Sequence, residues 1–181
     1  MTAKTITRDD LLDLDTYGKE RRHRRRALID YKKPRRISVG PDATFYFENR
    51  ETMWAQIQEM LWIEKGGDEQ IDDELSAYNP LIPQGRELIA TFMIEIDDPV
   101  RRAKTLQGLT GVEETITLSF AGETVTGVPE VSDDVDRTKE DGKTSSIHFI
   151  RFTFSDDQAA KFVSADQPPR QRTSPPARKT R

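Results

Sequence analysis

The sequence contains no cysteine and only two histidines among its 181 residues. Without cysteine the chain offers no disulfide, no thiolate nucleophile and no thiolate ligand for zinc or an iron–sulfur cluster. His23 and His148 are 125 residues apart, and neither lies in an H-E-x-x-H or Glu-x-x-His pattern. The sequence therefore predicts no metal site and no cofactor.

Long hydrophobic runs are also missing. The longest apolar-rich stretch, Leu88 to Ile96, is interrupted by Thr91 and Glu95, whereas a membrane-spanning helix needs about 20 apolar residues. The first ten residues lack the basic-then-apolar pattern of a secretory signal peptide. We expect a cytoplasmic protein with no membrane attachment.

Common catalytic motifs are absent as well. The sequence has neither the G-x-S-x-G nucleophile turn nor the G-x-G-x-x-G dinucleotide fingerprint. The stretch Gly142-Lys143-Thr144 resembles the end of a phosphate-binding loop, but Arg137 stands where that motif requires its first glycine. The sequence thus favours a non-catalytic protein.

Charge is abundant and is sorted by segment. The net charge is −4, yet residues 19–36 carry +8 and residues 168–181 carry +5, which leaves −17 on the remainder. Two interpretations follow: the basic segments bind an external polyanion, or they lie against the acidic body and are neutralised within the molecule.

Hydrophobic periodicity predicts an α+β fold with a mostly antiparallel sheet and helices packed on one face. The helices Arg8–Tyr31 and Met53–Lys65 are expected to cover that face, and the strands include Leu88–Ile96 and Ser146–Phe154. We predict a single α+β domain over residues 1–165. Residues 166–181 are rich in proline and arginine and are predicted to form a disordered basic tail.

The arginine-rich helix supplies the first candidate site. Its arginines interrupt an apolar stripe that includes Leu14, Tyr17 and Leu28, and an unpaired charge on such a stripe is costly to bury. Either ion pairs attach the helix to the acidic remainder of the protein, or the helix is exposed as an anion-binding or partner-docking surface. The candidate residues are Arg21, Arg22, Arg24, Arg25 and Arg26.

His148 supplies the second candidate site, because it falls on the apolar face of a predicted strand. One interpretation is a core histidine that is hydrogen-bonded to a backbone carbonyl. The alternative is a ligand or proton carrier that works beside Glu59, Glu64 or Glu95.

Four separated segments resemble an uncharacterised bacterial family of unknown function, often encoded beside a rubrerythrin and an iron–sulfur oxidoreductase. The segments are Val39–Thr44, Trp54–Leu61, Tyr78–Pro83 and Lys143–Phe152. This resemblance implies a cytoplasmic accessory protein of a redox or peroxide-defence system, with the rubrerythrin or the iron–sulfur oxidoreductase as its partner. Two alternatives stay open: a nucleic-acid-binding protein that uses the basic helix and tail, and an enzyme that uses His148 and a glutamate.

Overall fold

A computed structural model describes residues 5–130 and 144–165 of the chain. The predicted disordered tail and residues 131–143, which include Gly142 and Lys143 of the phosphate-loop-like stretch, lie outside the described residues. Short 3-10 turns join the main elements. The helices are α1 (Leu14–Lys32), α2 (Arg50–Glu64), α3 (Gly67–Tyr78), α4 (Pro99–Gly108) and α5 (Asp156–Ala165), and the strands are β1 (Arg36–Val39), β2 (Ala43–Phe47), β3 (Glu87–Ile94), β4 (Thr117–Phe120), β5 (Glu123–Thr126), β6 (Val128–Pro129) and β7 (Ile147–Thr153).

The main sheet has five strands in the order β1-β2-β3-β7-β6, and each neighbouring pair is antiparallel. At its centre β3 pairs with β7, so that Phe92 lies opposite His148. Strands β4 and β5 form a separate hairpin. The predicted α+β class with a mostly antiparallel sheet is confirmed.

The sheet buries side chains on both faces, because successive residues of a strand point to opposite sides. On one face Ile89 packs with Ile57 of α2 and with neighbouring apolar residues. On the other face Phe92 and Ile150 pack with the β4–β5 hairpin, α4 and α5, which contributes Phe162. Helices therefore cover both faces rather than the single face expected from the sequence.

Helix α1 begins at Leu14 and not at Arg8 as predicted. The Asp13 side chain caps it by accepting a hydrogen bond from the Thr16 amide. Just before the cap, the Leu12 amide donates to Oε1 of the fully buried Gln58 at 2.6 Å. Leu11 and Asp13, on either side of Leu12, both have extended backbone, so the helix does not continue backwards through this segment.

Helix α1 packs on α2, which in turn packs on the sheet. Gly18 permits the close approach: a Cβ atom at this position would lie 2.4 Å from Cη2 of Trp62. The buried Tyr17 ring meets Trp54 and Trp62 edge-on, with centroids 6.2 and 6.3 Å away. The contact between the two helices is therefore aromatic, and it brings the arginines of α1 close to α2.

Candidate functional site

The inner side of α1 is joined to α2 by one carboxylate. Glu59 accepts hydrogen bonds from the Tyr17 hydroxyl at 2.7 Å and from Nε and Nη2 of Arg21 at 2.9 and 2.8 Å. Burial acts to raise the pKa of Glu59, but the hydrogen bonds from Arg21 and Tyr17 outweigh it, so the pKa lies below its ordinary value. Burial, together with the bond to Glu59, raises the pKa of Tyr17. Arg21 is thus paired within the molecule.

Arg24 is held partly by its own helix and partly by an aromatic ring. Its Nε and Nη2 contact Glu20 at 2.7 Å, an i−4 pair, and its guanidinium carbon lies 5.0 Å from the Trp54 ring centroid. Nη1 has no hydrogen bond among the described residues. The Arg24 guanidinium therefore lies beside the Trp54 ring, and its Nη1 atom is available to donate to another group.

The outer side of α1 presents charge without partners. Arg22 and Arg26 are exposed and form no hydrogen bond or ion pair within residues 5–130 and 144–165. Ile29, one turn further along, is 64% exposed. We call these three residues the outer face of α1. Helical spacing places them on one side of the helix, with an apolar side chain beside two guanidinium groups.

Arg25 lies between the two sides. Its Nε is 4.0 Å from Oε2 of Glu59, too long for a hydrogen bond, and its side chain is 59% exposed. Of the five predicted arginines, the structure therefore places Arg21 in an internal ion pair, Arg24 against Trp54, and Arg22, Arg25 and Arg26 towards solvent. The internal ion-pair interpretation therefore applies to Arg21, whereas an anion-binding or partner-docking role of the exposed arginines stays a prediction.

A cleft of about 770 Å³ opens between α1 and α2. Its volume is in the usual range for small-molecule sites. Apolar and aromatic side chains form part of the lining: Tyr17, Ala27, Leu28, Tyr31, Trp54 and Ala55. Ionisable side chains form the rest: Lys19, Glu20, His23, Arg24, Arg25, Glu51 and Glu59.

His148 lies on the opposite side of the sheet from this cleft. Its Nε2 is 2.9 Å from the Ser145 carbonyl oxygen and 3.2 Å from Oγ1 of Thr144. Since a carbonyl only accepts, Nε2 is the donor to Ser145. Thr144 in turn donates to Oε2 of Glu113 at 3.4 Å, and Glu113, Thr144 and His148 are all buried. The bond to a backbone carbonyl is the one expected of a core histidine.

The three glutamates proposed as partners of His148 are not brought to it. Glu59 belongs to the contact between α1 and α2, and Glu64 binds Gln70 at the end of α2. Glu95 accepts from the hydroxyls of Thr44 and Tyr46, which point to the α2 side of the sheet. Sequence reasoning missed Glu113, because its approach to His148 depends on how the chain returns to β7.

The described part of the chain shows neither a metal cluster nor a membrane span. No group of three or more histidine, aspartate or glutamate side chains in it is arranged to hold a metal ion. None of its helices is long and apolar enough to cross a bilayer.

Fold and site together define an α+β protein with an antiparallel sheet covered on both faces and an arginine-rich helix bounding a cleft. The chain belongs to the family DUF3501, described as a protein of unknown function, whose model matches residues 5–170. No curated protein matches it.

A solved structure supports the same fold. It is the crystal structure of a novel protein of unknown function from Burkholderia pseudomallei K96243, which is similar to this chain with 35% sequence identity and a TM-score of 0.78. The match covers 91% of this chain and 88% of that one. The uncharacterised family expected from the sequence is thereby confirmed.

Proposed function

We propose that this protein is a non-catalytic accessory protein that binds an acidic surface of a partner protein through the outer face of α1. The observation that carries the proposal is the exposure of Arg22 and Arg26 with no partner among the described residues. The neighbouring Arg21, in contrast, is bonded to Glu59. The helix thus uses one arginine for its own packing and leaves others available.

The exposed Ile29 supports a protein partner. Protein interfaces are enriched in arginine, and their central contacts combine apolar burial with charged or polar groups at the rim. Ile29 is 64% exposed beside Arg22 and Arg26, so it offers an apolar anchor within a cationic surface. A surface that bound only phosphate groups would have no use for this side chain.

The resemblance noted in the sequence supports the identity of the partner. It implies a rubrerythrin or an iron–sulfur oxidoreductase, within a cytoplasmic redox or peroxide-defence system. This chain has no cysteine and therefore no thiolate for a cluster. In the proposed pair the partner carries the redox centre.

The test is a calorimetric titration of this protein with a purified rubrerythrin and with a purified iron–sulfur oxidoreductase from the same organism. Arg26→Glu is expected to weaken binding by at least about tenfold, because it places a carboxylate against an acidic surface. Lys104→Glu makes the same change of charge at an exposed site on α4 and is expected to leave binding unchanged. No binding by either partner, or equal losses in both variants, would reject the proposal.

The alternative of nucleic-acid binding rests on the same two unpaired arginines. It predicts binding of a DNA duplex or an RNA strand with an affinity that falls steeply as salt rises. Ile29→Ser separates the two proposals: it is expected to weaken a protein complex and to leave phosphate contacts intact. An enzymatic role for His148 has less support, because Glu59, Glu64 and Glu95 lie elsewhere, and the one glutamate near it, Glu113, is buried with it.

A further inference from the structure

We propose that the cleft between α1 and α2 is a binding site for a small planar organic anion, such as an aromatic carboxylate. This inference is independent of the proposed docking function, because it concerns the side of α1 that faces α2. The cleft has the volume of a ligand site, about 770 Å³. The chemistry of its lining determines the class of ligand.

The first part of the argument is a group of cleft side chains against which the ring of a ligand could pack. Trp54, Tyr31 and Leu28 all line the cleft, and the guanidinium carbon of Arg24 lies 5.0 Å from the centroid of the Trp54 ring. Aromatic rings with a guanidinium group beside them favour flat, unsaturated ligands. A flexible aliphatic chain would gain less from such a wall.

The second part of the argument is the net charge of the side chains that line the cleft, once their ion pairs within the protein are taken into account. Two lining carboxylates are already satisfied: Glu20 by Arg24 at 2.7 Å, and Glu59 by Arg21, which stands behind the lining. The cations Lys19 and Arg25 line the cleft without a short ion pair among the described residues. With Arg21 and the third lining carboxylate, Glu51, included, four cationic and three anionic side chains give the cleft one net positive charge beside its aromatic wall.

The remaining ionisable groups of the lining are His23 and Glu51. His23 is exposed on the same helix as Arg25, and Glu51 stands in the first turn of α2. Asn49, just before that turn, donates to the Tyr31 hydroxyl, so Glu51 belongs to the Tyr31 end of the cleft. The anionic group of a ligand is accordingly expected near Arg25 and Nη1 of Arg24, with its ring towards Leu28 and Tyr31.

The test uses 2-naphthoate and its neutral counterpart 2-naphthamide with the full chain. The chain has two tryptophans, so two indole N–H signals are expected in a ¹H–¹⁵N spectrum, and Trp54→Phe assigns them. We expect 2-naphthoate to shift the Trp54 signal on titration and the amide to bind at least about fivefold more weakly, since it lacks the charge.

Arg25→Gln is expected to weaken 2-naphthoate binding about tenfold, the loss of one charge-assisted hydrogen bond. Arg22→Gln on the outer face is the matched control and should leave binding unchanged. Arg24→Gln, which removes the other group expected to contact the anion, provides a second variant if Arg25→Gln does not fold. No shift at Trp54, equal binding of the amide, or no loss in Arg25→Gln or, in its place, in Arg24→Gln would overturn the proposal, whatever the outcome of the partner titrations.

Discussion

Glu59 accepts three hydrogen bonds from Tyr17 and Arg21, all between 2.7 and 2.9 Å. Its side chain is 20% exposed and that of Arg21 is 27% exposed, so water screens this pair less than it screens a surface salt bridge. The carboxylate closes the contact between α1 and α2. It also fixes the position of the arginine that the outer face does not use.

This arrangement predicts a specific dependence of stability on pH. The pKa of Glu59 is lowered in the folded protein, whereas the pKa of a glutamate in an unfolded chain is about 4.3. The unfolded state therefore binds the proton first as the pH falls, and the stabilisation present at neutral pH is lost below about pH 4. Glu59→Gln is expected to lower the free energy of unfolding by about 1–2 kcal/mol at pH 7, and by less at pH 3.

Urea unfolding of the natural protein and of Glu59→Gln, measured at several pH values, checks this prediction. Glu114→Gln, at an exposed position, is the control and should differ little from the natural protein throughout. A difference between the natural protein and Glu59→Gln that is as large at pH 3 as at pH 7 would contradict the assignment of the ionised carboxylate as the stabilising species.

At the scale of elements, Gly18 sets the distance between α1 and α2. Alanine in place of glycine normally stabilises a helix by about 1 kcal/mol. At position 18, however, the added Cβ would lie 2.4 Å from Cη2 and 2.5 Å from Cζ3 of Trp62. The indole ring also meets the buried Tyr17 ring edge-on, so moving it away would disturb this contact.

Gly18→Ala is therefore expected to lower the free energy of unfolding by about 1–3 kcal/mol, the usual cost of overpacking. Gly108→Ala is the matched control at the last residue of α4, where an added Cβ would meet nothing within 4 Å. It should leave stability unchanged or raise it by up to about 1 kcal/mol. Chemical unfolding of the two variants gives the comparison, and equal effects would refute the close approach of Trp62.

Local sequence signals were enough to predict the helices α1 and α2 and the strands β3 and β7, but not where α1 starts. Asn49 caps α2 as its residue type indicates, because its side chain accepts from the Thr52 amide. Thr7 and Asp10 form an equally good local signal, yet they cap only a short 3-10 turn. The segment just before α1 is instead hydrogen-bonded to Gln58, which is 46 residues away from Leu12 along the chain, and no periodicity reports such a contact.

The candidate site shows the same limit. The arginines were evident from composition, but their division between inner and outer positions depends on which side of α1 meets α2. Nothing in the sequence distinguishes Trp54 and Tyr31 from other aromatic residues, whereas in the structure they line the cleft beside Arg24. The packing of α1 against α2 decides which arginines are exposed on the outer face and which line the cleft, and this packing is not visible in the sequence.

At the scale of the whole molecule, the sheet separates two hydrophobic clusters. Ile57 of α2 belongs to one cluster and Ile150 of β7 to the other, and both are fully buried. Strand β3 contributes to both, because Ile89 faces α2 and Phe92 faces the opposite cluster. A strand with both faces buried transmits the loss of one cluster to the other, which is the physical basis for predicting one domain over residues 1–165.

Native-state hydrogen exchange tests that prediction with two matched variants. Ile57→Ala and Ile150→Ala each remove the same atoms from a fully buried site and should each cost about 2–5 kcal/mol. If the domain unfolds as one unit, Ile57→Ala lowers the protection of the slowest amides in β7, and Ile150→Ala lowers that of the slowest amides in α2, each by its full free energy. If amide protection falls only on the mutated side of the sheet, each cluster is stable without the other. The chain would then consist of two unfolding units with the sheet as their boundary.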